Sequence, residues 1–148
     1  MRIGLDIMGG DFAPQATIGG AVLAVDAIDA SCRLVLIGDE PAIRMSFLEV
    51  GIDPNRFDYV QATEVIEMGE NPTRAFTQKP NSTISTGFRL LKEGEIDAFV
   101  SAGNTGAMLV GSVLSVKPID GIQRPCIMSL MPKENGGFGI LLDVGSNA

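Results

Sequence analysis

The chain has 148 residues, 45% of them hydrophobic, and a mean hydropathy of +0.25, enough apolar material for one domain with a core and too much for a disordered chain. Eleven Lys and Arg stand against eighteen Asp and Glu, a net charge of -7, which excludes nucleic acid as the main partner because phosphate backbones reward basic surfaces. There is no histidine; that removes Ser-His-Asp triads and most zinc sites, and leaves carboxylates, hydroxyls, amides, backbone groups and lysine to carry any chemistry.

The N-terminal stretch "MRIGLDIMGG" starts directly as a strand, without a basic leader or a small-residue cleavage site. No run approaches the roughly 18 apolar residues of a membrane span, so a cytoplasmic protein is expected. After "MGGDFAP", Ile18, Ala21, Val22, Val25 and Ile28 recur at helical spacing, with Pro14 suited to the first turn. "RLVLIG" is a second strand, followed by a helix from Pro41 to Leu48 that stops at Gly51. "FDYVQA" is a third strand. A short helical piece spans residues 74–79, and "NSTIS" caps a longer helix that runs through Leu91 and ends near Gly94.

"DAFVSA" is the fourth strand and residues 105–116 the helix after it. "PCIMSLM" and "FGILLDV" are then separated only by "PKENGG", too short for a helical crossover, so an antiparallel hairpin is expected near the C-terminus. Cys32 and Cys126 have no metal-ligand spacing and read as reduced core thiols at strand starts. The pattern is α/β: one domain over residues 1–148, a mostly parallel sheet with helices on both faces. The last strand has no covering helix after it, so another chain or a later part of a longer polypeptide is expected to cover it.

Three Gly-rich loops follow strands: "DIMGGDFAP", "SAGNTGA" and "DVGSNA". Ligands of open α/β sheets bind at the carboxyl ends of strands, so such loops can face one site, the last only if its strand points the same way. In the first loop, Gly9 and Gly10 either make a tight turn that Asp11 closes as a helix cap, or let a ligand approach between Asp6 and Asp11, carboxylates that suit hydrogen-bond acceptance or a base role. In the second, Asn104 or Thr105 caps a helix, or the loop holds a small oxyanion on unpaired backbone N–H groups with Ser101, Asn104 and Thr105 as side-chain donors. Nucleotide fingerprints are absent; "GAMLVGS" has the glycine spacing of a P-loop but Ser112 where lysine belongs. In "EMGENPTRAFTQKPNS", Glu67, Glu70, Arg74 and Lys79 sit among turn residues, and with Arg89 and Lys92 the two basic residues form either a basic strip or a solvated helix face.

"GLDIMGGDFAP", "VIEMGENPTRAFTQKPNS", "LLKEGEIDAFVSAGNTGAMLVG", "GIQRPCI" and "LLDVGSNA", in this order, resemble the PlsX family of bacterial acyl-ACP:phosphate acyltransferases over essentially the whole chain. The resemblance implies a phosphotransacetylase-like or isopropylmalate-dehydrogenase-like fold and transfer of a long-chain acyl group from acyl carrier protein to inorganic phosphate, giving acyl phosphate for phospholipid synthesis. It also implies a homodimer, peripheral membrane association in some members, and no metal or organic cofactor. On that reading Asn104 and Asp11 are catalytic. Phosphate is held by Gly9, Gly10, Ser101, Gly103, Asn104, Thr105, Gly145 and Asn147, and the acidic carrier protein docks on Arg74, Lys79, Arg89 and Lys92.

Two departures accompany the resemblance. Family members run about twice this length, so this chain reads as the N-terminal part of a longer acyltransferase. Gln61 stands where relatives usually have histidine, and an amide does not titrate near neutral pH. The alternatives are a non-catalytic module that binds an anion or the carrier protein, and a phosphotransacetylase-like enzyme that uses coenzyme A thioesters.

Overall fold

A computed structural model describes residues 1–145. Four parallel strands, β1 (Arg2–Asp6), β2 (Arg33–Gly38), β3 (Asp58–Gln61) and β4 (Ala98–Val100), lie in the order β3-β2-β1-β4. β1 is central to the topology: Ile3 stands opposite Leu34 of β2 on one side and Ala98 of β4 on the other. The chain builds outward from β1 to β3 and then returns to the far side of β1. The carboxyl ends of β1 and β4 therefore flank the point where strand order reverses, which is where open α/β sheets leave a crevice.

The helices are α1 (Gln15–Ala27), α2 (Glu40–Glu49), α3 (Pro72–Gln78), α4 (Thr83–Glu93) and α5 (Thr105–Gly111), the last running on into a π-helical turn at Ser112–Val116. β2 shows why "RLVLIG" is apolar throughout. Leu34 and Leu36 pack with Ile18 and Ala21 of α1 and Ile43 and Phe47 of α2, while Val35 and Ile37 pack with Leu90 of α4 and with Ile96. A parallel strand buried on both faces has no polar side to alternate with.

A third cluster ties the helices beyond the sheet to β4. Phe76, Phe88 and Phe99 form a chain of edge-to-face rings, with centroids 6.2 Å and 5.3 Å apart. Two of the rings lie against glycines: a Cβ on Gly111 would stand 2.3 Å from the Phe88 ring, and one on Gly87 2.3 Å from the Phe99 ring. Burying such a ring contributes about 2 to 3 kcal/mol, and the contacts seat the end of α5 on α4 and α4 on β4.

Local signals fixed the helix ends. Ser82 Oγ accepts from the Ser85 N–H at 3.2 Å, and Gly94 closes α4 at φ +73°. Asn71 caps α3, accepting from the Arg74 N–H at 3.0 Å, with Pro72 as the first helical residue. Two expected strands are shorter than read: Phe57 precedes β3 and stacks on Phe47 at 4.6 Å, and Ser101 and Ala102 already belong to the loop after β4. Pro14 is the N-cap of α1 rather than part of its first turn, and the Asp11 side chain does not cap it.

The expected hairpin is present as β5 (Met128–Pro132) and β6 (Phe138–Leu142), antiparallel with Met128 opposite Leu142. It is a sheet of its own and does not extend the parallel one. Its side chains face outward, Phe138 at 66% and Ile140 at 70% exposure. Cys32 and Cys126 are unpaired and half-buried, not core thiols as expected, because each precedes its strand instead of opening it. No helix among the described residues is long and apolar enough to cross a membrane.

Candidate functional site

The loops after β1 and β4 meet at the reversal point through one buried carboxylate. Asp6, the last residue of β1, is 1% exposed. Its Oδ2 accepts from Ser101 Oγ at 2.7 Å, and its Oδ1 accepts from the Met8 N–H at 3.0 Å. The nearby Thr83 hydroxyl and Gly9 N–H also favour its charged form. Burial raises the Asp6 carboxyl above its usual range, and Ser101, Thr83, Met8 and Gly9 oppose that rise. Ser101 Oγ in turn accepts from the Gly103 N–H at 3.0 Å. A Cβ on Gly9 would lie 2.7 Å from Asp6 Oδ2 and 2.8 Å from both Gly103 N and Ser101 Oγ, so only glycine fits between the two loops. Gly10, at φ +111°, faces Ala102.

Asn104 joins a third loop, the one after β3. Its Oδ1 caps α5 by accepting from the Ala107 N–H at 2.9 Å, while its Nδ2 donates to the Glu67 carbonyl at 3.0 Å and, more weakly, to those of Glu70 at 3.3 Å and Met68 at 3.4 Å. At 5% exposure the amide is fully engaged with the protein. Lys79 holds the same loop from its other side, its Nζ donating to Glu70 Oε2 at 2.6 Å and to the Val65 carbonyl at 2.7 Å. Chiefly through that Lys79 bond, the Glu70 carboxyl titrates below its ordinary range.

Between the first and third loops lies a cleft of about 500 Å³, with Met8, Gly10 and Asp11 on one wall and Val65, Glu67 and Met68 on the other. Asp11 and Thr105 are exposed, and neither side chain has a partner among the described residues. The backbone N–H groups of Thr105 and Gly106 find no acceptor there either, as expected at the first positions of a helix.

Gly9, Gly10, Ser101, Gly103, Asn104 and Thr105 thus come together, and two of them are engaged differently from expectation. The Ser101 hydroxyl, expected as a donor to phosphate, gives its hydrogen to Asp6. The Asn104 amide, expected as a donor and as catalytic, is both cap and tie, so its direct bonds go to protein. Gly145 does not join the other loops, because the strand before it belongs to the separate hairpin and not to the parallel sheet. Asn147 lies outside the described residues.

The basic strip is also revised. Lys79 is committed to Glu70, and Arg89 pairs with Glu93 at 2.9 Å on its own helix. The Arg74 guanidinium donates to Gln78 Oε1 at 3.2 Å and has no acidic partner among the described residues, and Lys92 is exposed. Gln61 accepts from the Glu40 N–H at 2.9 Å, tying the edge strand to the start of α2. With strands about 4.8 Å apart, that edge is about 14 Å from β4. Sequence reading missed Thr83 and the reach of Asp6; the only local hint was an acid at the end of an otherwise apolar strand. Among the described residues no group of three or more His, Cys, Asp or Glu could hold a metal ion.

Comparison with known proteins gives a consistent picture. The sequence profile of a family described as fatty acid synthesis protein matches residues 1–148. The phosphate acyltransferase of Desulfitobacterium hafniense (strain DSM 10664 / DCB-2) is 44% identical over 147 residues, covering 99% of this chain and 43% of the relative. That of Herpetosiphon aurantiacus is 42% identical over 146 residues, covering 99% and 39%, and that of Clostridioides difficile is 38% identical over 148 residues, covering 100% and 43%. The chain therefore spans less than half the length of these relatives. Among solved structures, the EutD phosphotransacetylase from Staphylococcus aureus superimposes with a TM-score of 0.56 at 16% identity, over 95% of this chain and 44% of the other; that likeness concerns the fold.

Proposed function

Because this chain belongs to the fatty acid synthesis protein family, we propose that it forms the phosphate side of an active site that transfers an acyl group from a thioester to inorganic phosphate, as the N-terminal part of a longer phosphate acyltransferase. The observation that carries the proposal is the meeting of two glycine loops at the β1/β4 crossing: Met8, Gly10 and Asp11 of one line a cleft, and the backbone N–H groups of Thr105 and Gly106 after the other find no acceptor among the described residues. An anion is favoured at such open amides, and no lysine is required.

In the reaction, an oxygen of hydrogen phosphate attacks the thioester carbonyl carbon, the C–S bond breaks, and the proton of the phosphate ends on the departing sulfur. Acyl phosphate and a free thiol result. Hydrogen phosphate is already an anionic nucleophile near pH 7, so positioning and electrostatic stabilisation can supply most of the rate. We assign the phosphate to the open amides of Thr105 and Gly106 with the Thr105 hydroxyl, and the passing of the proton to Asp11. Asn104 contributes by fixing the loop.

The donor is assigned as acyl carrier protein rather than coenzyme A, with the product feeding phospholipid synthesis; a homodimer with peripheral membrane contact belongs to the same proposal. Support for these finer points is the motif resemblance alone. The test is turnover by the full-length protein. Free carrier protein and a hydroxylamine-trapped acyl group should form from palmitoyl carrier protein only when phosphate is present. Phosphate-independent release, or none, rejects the reading, and equal rates with palmitoyl coenzyme A reject the donor.

A further inference from the structure

We propose that Asp6 is a positioning residue of this site, its carboxylate acting through Ser101 to hold the loop after β4 in the shape that receives phosphate. The inference rests on the phosphate-acyltransferase reading and adds a residue that touches neither substrate nor reacting atoms. Asp6 and Ser101 are 95 positions apart in the chain, yet their side chains meet at 2.7 Å. Ser101 then passes the constraint to the Gly103 N–H at 3.0 Å, one residue before Asn104 and two before Thr105. Asp6 also fixes the other loop through the Met8 N–H group. One carboxylate thereby sets both lips of the crevice.

The chemistry of the contacts calls for an acid at this position. Both hydrogen-bond partners of Asp6, the Ser101 hydroxyl and the Met8 N–H, donate to it, and a carboxylate only accepts. An Asn would turn an NH2 group toward a donor. No ionisable group among the described residues bonds to Asp6, so this is not a buried ion pair that the fold keeps for charge balance. Burying a lone carboxylate is unfavourable compared with an apolar residue of similar size. A purely structural position would relax that cost. Gly9 points the same way, since its absent side chain is what lets Asp6, Ser101 and Gly103 approach.

The experiment uses the full-length protein and the variants Ser101→Ala, Ser101→Thr, Asp6→Asn and the Ser101→Ala/Asp6→Asn double. Ser101→Ala is expected to raise the KM and calorimetric Kd for inorganic phosphate about 10- to 100-fold while leaving the thioester KM unchanged, and Ser101→Thr, which keeps the hydroxyl, restores both. The double variant should be no worse than the worse single, as for residues acting through one contact. Should Asp6→Asn fail to fold, the Ser101 pair decides alone. A folded Ser101→Ala with unchanged phosphate constants overturns the proposal, as does a Ser101→Thr that behaves like alanine. Wild-type protein that binds no phosphate overturns it as well. If phosphate binds but no acyl group is transferred, the functional reading falls by itself, and the phosphate dissociation constants of the same variants still judge the role of Asp6.

Discussion

At the scale of single residues, Asn104 separates two jobs of one side chain. Asn104→Asp keeps an oxygen to cap α5 but loses the Nδ2 bonds to the Glu67 and Glu70 carbonyls; Asn104→Ala loses both. The alanine variant is expected to cost about 1 to 3 kcal/mol in urea unfolding, from the lost cap and the unpaired buried carbonyls. Both variants should lower phosphate-dependent turnover about 10- to 100-fold, because a misplaced loop is enough to do so. Full activity in Asn104→Asp would show that the tie to the third loop is dispensable. Gly9→Ala puts a Cβ within 2.8 Å of three polar atoms and should lose phosphate binding at a stability cost of about 1 to 3 kcal/mol. Unchanged binding would mean that the loops can part without consequence. Asp6 gives a pH signature. Its carboxyl is raised in the folded protein mainly by burial, so its contribution to stability is complete below the ordinary aspartate pKa of about 3.9 and falls as pH rises through the raised value. Stability of the wild type relative to Asp6→Asn should therefore decline with rising pH in urea titrations; an increase contradicts the assignment.

At the scale of elements, the short helix α3 and the loop before it show how a basic patch is divided. Lys79 is held by Glu70 and the Val65 carbonyl, whereas Arg74 projects from the exposed side. Lys79→Glu should loosen the loop that Asn104 grips and reduce turnover without changing carrier-protein affinity. Arg74→Glu should weaken binding of an acidic carrier protein, most clearly at low salt where screening is weak, and leave phosphate constants alone. Titrations of labelled carrier protein at two ionic strengths distinguish the two. If neither substitution alters affinity, the carrier protein docks on another surface.

For the whole molecule, the hairpin of β5 and β6 stands out because it presents Leu130, Phe138, Ile140 and Leu142 to solvent on a sheet of two strands. Two strands alone are marginal in water, and a contiguous apolar surface marks a place that another surface covers. The 148-residue chain by itself is expected to bind a hydrophobic dye and to self-associate in sedimentation, and Ile140→Thr with Leu142→Thr to reduce both. A monomer that binds no dye would show that the hairpin is sheltered within the chain.

What the sequence determined by itself was local. Apolar runs and alternation located the four strands of the sheet, Ser82 and Gly94 marked the ends of α4, the short "PKENGG" link produced an antiparallel hairpin, and the glycines after β1 and β4 marked the loops that meet. These signals act within a few residues, through backbone dihedrals, caps and side-chain period, and they need no knowledge of what lies across the sheet. Only the tertiary structure decided what the loop residues do. Whether Ser101 donates to a ligand or to Asp6 depends on β4 landing beside β1 instead of at the far edge. Whether Asn104 reaches a substrate or the Glu67 carbonyl depends on how the chain after β3 folds back, and the same turn gives Lys79 its partner. Gly145 follows a strand that, among the described residues, pairs with its neighbour in sequence and not with the parallel sheet. The Ser101 and Asn104 contacts join residues 34 to 95 positions apart, and their outcome is set by strand order and ring packing, which no local spacing encodes.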